Sequence, residues 1–165
     1  MKMFMQWKKR QEAYELHLDT QVVATFQIPN PREPLTAILT IGMEQFTLSR
    51  PGFWKTNVVV HNEAQNEILR LQPQKWYSSS LVFNYYNQSF RIRSKNNPLL
   101  TWTIENEQKT VLEYGLTFSP KGNHLQNKVE ESVPLLFHGL LWYLMHTILL
   151  EQNGIDDASL VVLLV

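Results

Sequence analysis

Three cations fall at alternate positions in Phe90-Arg91-Ile92-Arg93-Ser94-Lys95. In an extended strand successive side chains point to opposite faces, so Arg91, Arg93 and Lys95 share one face while Phe90 and Ile92 take the other. Guanidinium groups at that spacing suit a phosphate or a carboxylate, because the planar fork donates paired hydrogen bonds and a rigid strand loses little freedom on binding. The competing reading is an ordinary solvated face. These three residues are the candidate ligand-binding site, with an anionic lipid head group or another phosphate as the expected ligand.

Other chemistry finds less support. The five histidines, His17, His61, His124, His138 and His146, show no metal-ligand spacing. His138 and His146 lie eight residues apart, which puts them about 80° from one another around a helix, and both read as hydrogen-bonded core residues. No metal and no cofactor is expected. There is no cysteine, which removes disulfides, thiol nucleophiles and thiolate sites. The patterns G-x-S-x-G, G-x-G-x-x-G, the P-loop and H-E-x-x-H are all missing. Ser78-Ser79-Ser80 follows Trp76-Tyr77 in what reads as a loop or strand edge, with no base implied. Glu63, Glu67, Glu105 and Glu107 fall in or beside polar turns and read as solvating. No catalytic residue is assigned, and the expected function is a non-enzymatic binding or scaffold module. Fifteen Lys and Arg balance fifteen Asp and Glu, so no global field attracts nucleic acid. The partners left are anionic lipid and another protein.

These residues must be held by strands. From Ala13 to about Ser119 apolar and polar residues alternate, as in Tyr14-Glu15-Leu16-His17-Leu18, Leu39-Thr40-Ile41 and Trp102-Thr103-Ile104. Pro29-Asn30-Pro31, Arg50-Pro51-Gly52, Asn96-Asn97-Pro98 and Lys121-Gly122-Asn123 punctuate them as turns. A shift of about 44 residues lays Phe46-Thr47-Leu48 over Phe90-Arg91-Ile92 and Val58 and Val60 over Trp102 and Ile104, a pattern of repeated meanders. No linker divides the chain, so a single domain over 1–165 is expected.

Val133 to Leu150 is apolar on every side of a helix, and something must surround it. The helix is expected at about 132–152, capped by Ser132 and Gly154, with a length near 30 Å. One alternative uses 133–150 as a transmembrane helix. Against it stand His138, Gly139, His146 and Thr147 within the run, and strands that need their apolar face filled. The fold expected is mainly β with one long C-terminal helix (α+β): a closed antiparallel β-barrel around a central hydrophobic helix. A barrel carrying a small apolar ligand is a further alternative, weakened if the helix fills the lumen. MKMFMQWKKRQ does not read as a secretory signal, so the expected location is cytoplasmic. Met3, Phe4, Met5 and Trp7 before Lys8-Lys9-Arg10 read as a strand, or else as a small interfacial anchor. LVVLLV near Val165 suits a closing strand.

The meanders QFTLSRPGFWKTNVVVHNE and SFRIRSKNNPLLTWTIENE, with the late helix VPLLFHGLLWYLMHTILL, resemble the tubby C-terminal-like superfamily, which includes the LURP-one-related proteins and the phospholipid scramblases. The resemblance runs from about Ala13 to Leu150. It implies a barrel around a buried helix, contact with phosphoinositide head groups through basic exterior side chains, and a place in the cytoplasm, peripheral to a membrane. The chain departs from the lipid-binding members in being neutral overall. It also lacks a scramblase-like cysteine cluster and proline-rich leader, so scrambling is not implied.

Overall fold

Alternating segments become strands here because short turns bring each one back beside its predecessor. The computed structural model describes residues 5–96, 100–107, 109–119, 122–129, 133–151 and 161–164. Along the chain these form β1 (Met5–Arg10), β2 (Ala13–Leu18), β3 (Gln21–Gln27), β4 (Ala37–Ile41), β5 (Glu44–Ser49), β6 (Val58–His61) and β7 (Glu67–Pro73). There follow β8 (Leu81–Tyr85), β9 (Gln88–Asn96), β10 (Leu100–Asn106), β11 (Lys109–Ser119), β12 (Gly122–Val129), the helix α1 (Leu135–Glu151) and β13 (Val161–Leu164). Two-residue turns join β4 to β5 at Gly42-Met43 and β8 to β9 at Tyr86-Asn87. Gly42 has φ 61°, while Tyr86 and Asn87 both have positive φ, as a hairpin turn matching the strand twist requires.

The strands lie in one sheet whose order follows the chain from β1 to β13. Each ladder from β1 to β12 is antiparallel, but β12 and β13 pair in parallel, His124 beside Val161 and Asn127 beside Leu164. The helix explains the reversal. Pro134, Leu135 and Leu136 lie beside the β4–β5, β6–β7 and β8–β9 turns, and Tyr143 reaches Leu35 at the other end of the sheet. So α1 carries the chain back to the end where β12 began, and β13 must run the same way as β12.

The closed antiparallel barrel expected from sequence is therefore corrected on two counts. The sheet is not closed: β13 comes alongside β1, yet among the described residues no ladder joins them. Nor is it wholly antiparallel. Alternation decides which face of a strand is buried, but closure depends on whether the first and last edges meet in register. Here the edge of β12 is taken by β13.

The helix is also shorter than expected. It has 17 residues, about 25 Å at 1.5 Å each, and begins after Pro134, whose carbonyl accepts from Phe137 N at 2.9 Å. The expected caps at Ser132 and Gly154 lie outside the described residues. From Leu136 to His146 every residue is buried, including Leu140, Trp142 and Tyr143. The helix contacts β3 and β4 on one side and β10 and β11 on another, so the curled sheet, not lipid, covers it. Among the described residues no helix is long and apolar enough to cross a membrane, against the alternative that used 133–150.

Trp7, at the strand end of the N-terminal segment, is buried and stacks on Trp142 with centroids 5.0 Å apart. Its indole N–H donates to Tyr114 Oη at 3.1 Å, and Tyr114 Oη lies 2.8 Å from His138 Nδ1. One hydrogen-bonded chain thus links β1, β11 and α1. The anchor reading of Trp7 is excluded by this burial, and the strand reading holds; Met3 and Phe4 lie outside the described residues. The segment LVVLLV does end in a strand, over Val161–Leu164.

Candidate functional site

The site residues proposed from sequence lie where the sheet is least tightly paired. Only Gln72 with Val82 and Pro73 with Leu81 pair β7 to β8, so from Glu67 to Leu71 β7 has no ladder partner on that side. A groove of about 1060 Å³ opens on the outer face there. Its walls include Glu67 and Arg70 of β7, Asn84 of β8, Arg91 and Arg93 of β9, and Glu105 of β10.

Phe90 and Ile92 are buried, which turns Arg91 and Arg93 outward into this groove. Arg70 donates twice to Glu67, at 2.9 and 2.8 Å. That pairing holds the Glu67 carboxyl below its usual range and raises the guanidinium of Arg70. Arg93 Nε lies 3.3 Å from Glu105 Oε2. In the register Glu105 stands opposite Arg91, yet it turns to Arg93. Among the described residues no ion pair holds Arg91. Lys95 is exposed opposite Thr101 and does not line the groove. Two of the three sequence candidates therefore come together and the third stands apart.

The groove also holds what sequence reasoning passed over. Arg70 was not singled out, although Leu69 and Leu71 on either side of it are buried, and that alternation already turns it outward. Glu67 and Glu105, read as solvating turn residues, instead neutralise arginines. With Glu107 they give the groove three carboxylates for its three guanidinium groups.

The remaining candidates scatter. His17 Nε2 lies 2.8 Å from Glu15, and His61 lies at the end of β6. His138 is buried against Tyr114, and burial pushes its pKa down to about 4. His146 packs edge-on to the rings of Tyr14 and Phe26. The side chain of His124 lies outside the described residues. No cluster of His, Cys, Asp or Glu able to hold a metal occurs among the described residues. Ser78 and Ser80 shape the β7–β8 loop, Ser78 Oγ accepting from Ser80 N at 3.0 Å. Glu63 lines a second hollow with Glu44, beside the start of α1 and apart from Glu67, Glu105 and Glu107.

Compared with protein-family models, curated proteins and solved structures, the chain matches none. What it binds must be argued from its own side chains.

Proposed function

We propose that the chain is a non-catalytic binding module whose outer groove takes an anionic group, a phosphate or a carboxylate, on Arg91, with Arg93 beside it. The observation that carries this is the charge arrangement. Arg70 and Arg93 already have carboxylate partners, while Arg91 stands between them without one among the described residues. A guanidinium on a strand, beside two ion pairs that hold the walls in place, is preorganised for a planar anion. The exterior is the place to look, because Leu136, Leu140 and Tyr143 pack the apolar side of the sheet. Anionic lipid head groups, the ligand class the tubby-like resemblance implies, are one source of such a group.

Calorimetric titration with glycerol phosphate tests the reading. Arg91→Gln is expected to weaken binding about 10- to 100-fold, the worth of a charge-assisted hydrogen bond or two. Arg93→Gln should cost less, since it removes a guanidinium already engaged by Glu105. Equal binding by the wild-type chain and Arg91→Gln would remove Arg91 from the site.

A further inference from the structure

Consecutive antiparallel pairing puts the β5–β6 and β7–β8 loops at the same end of the sheet, two strand spacings or about 10 Å apart. Each loop holds out a pair of aromatic rings. Phe53 and Trp54 are 87% and 82% exposed, and Trp76 and Tyr77 are 93% and 65% exposed. Within each pair the rings meet edge to face, with centroids 5.1 and 5.4 Å apart. A lysine accompanies each pair: Lys55 follows Trp54, and Lys75 Nζ lies 5.6 Å from the Tyr77 ring. The β3–β4 loop at the same end adds Arg32, and a hollow of about 530 Å³ between it and the β5–β6 loop is lined by Arg32, Glu33, Arg50 and Lys55. In these three loops three exposed cations, Arg32, Lys55 and Lys75, accompany one carboxylate, Glu33, while Arg50 turns inward over the Tyr143 ring at 5.7 Å.

The chain as a whole is neutral, so this end is a local departure in both charge and apolarity. Four large rings in water are costly and mark a surface that is covered in use. Two occupants fit less well than a third. A second copy of the chain docked symmetrically would set three exposed cations against three, which opposes association. A flat protein partner suits a continuous patch better than two separate loop tips. Indole and phenol rings on projecting tips, ringed by lysine and arginine, match the interfacial layer of a bilayer, where the ring body sits among head groups and the cations meet lipid phosphate.

We propose that this end of the sheet is a docking surface for an anionic membrane, with Phe53, Trp54, Trp76 and Tyr77 entering the head-group layer and Arg32, Lys55 and Lys75 pairing with lipid phosphates. Attachment through loop tips is peripheral and reversible. It does not use Arg91, so it stands or falls separately from the groove.

The test is co-sedimentation of the full chain with phosphatidylcholine vesicles with and without phosphatidylserine, alongside tryptophan emission. The wild type should bind the phosphatidylserine vesicles and shift its emission to the blue. Trp54→Phe with Trp76→Phe should still bind and lose the shift, because Trp7, Trp102 and Trp142 are buried. Serine at all four ring positions should weaken binding more than tenfold, roughly, with the thermal midpoint unchanged. Lys55→Gln and Lys75→Gln should each cost about fivefold at low salt. No binding to anionic vesicles overturns the proposal, as does equal binding by the four-serine variant. A dimer that this variant abolishes, without vesicle binding by either protein, overturns it in favour of a self-interface.

Discussion

His138 carries the clearest pH signature of any single residue. In the folded chain it stays neutral down to about pH 4, because burial penalises the imidazolium against an ordinary value of 6.5. The unfolded chain takes up that proton from about pH 6.5 downward. Its contribution to stability is therefore intact above that range and declines as pH falls towards 4, by on the order of 3 kcal/mol. Urea midpoints measured between about pH 7 and 4.5 should fall for the wild type and fall less steeply for His138→Asn; identical slopes would show that another group is responsible. That His138 belongs to the core was legible from an apolar helix. Its partner was not, since Tyr114 lies 24 residues away and only the curl of the sheet brings the two together.

At the scale of elements, the approach of α1 to β4 rests on Gly139. A Cβ there would sit 2.9 Å from Leu39 Cδ1 and closer still to Cδ2. Alanine ordinarily favours a helix by about 1 kcal/mol over glycine, but Leu39 is fully buried, so its methyl groups would have to shift within the core. Gly139→Ala is thus expected to destabilise by about 1–3 kcal/mol, and Leu39→Ala in the same chain should cost less than in the wild type, measured as a double-mutant cycle in denaturant. The strands themselves were readable from alternation and turns, and so was the repeat of β5–β7 in β9–β11. The register shows a third copy. Shifts fall at Leu16/His17 between β2 and β3, at Val60/His61 between β6 and β7, and at Ile104/Glu105 between β10 and β11, 44 residues apart each time. Irregularities of this kind bend a strand and raise its twist, so three at even spacing curl the sheet around α1. The first copy keeps a thinner side-chain likeness, Tyr14 and Leu16 over Val58 and Val60 and His17 over His61, so the register shift marks it more plainly than the sequence does.

For the whole molecule, failure to close was beyond the reach of a periodic reading, which specifies faces and not the meeting of edges. The same holds for the β7–β8 seam, since two paired residues and six give similar alternation. Ladder bonds oppose local opening, so the seam is expected to open before the β11–β12 ladder, which pairs Leu112–Ser119. Native-state amide exchange should then be faster in Leu81–Tyr85 than in β11 by at least an order of magnitude, roughly; equal protection would show that the seam is closed by something other than its ladder. The groove bearing Arg91 opens along that seam, so a ligand bound there should slow exchange in β8. The place of α1 in the chain has a different consequence, for synthesis. A ribosome adding about 5–20 residues per second completes twelve strands before it delivers the helix that covers them. For several seconds the nascent sheet holds Trp7, Phe26 and Leu39 without Trp142, Tyr143 and Gly139 to pack against, so the arrival of α1 decides when these strands are safe from aggregation.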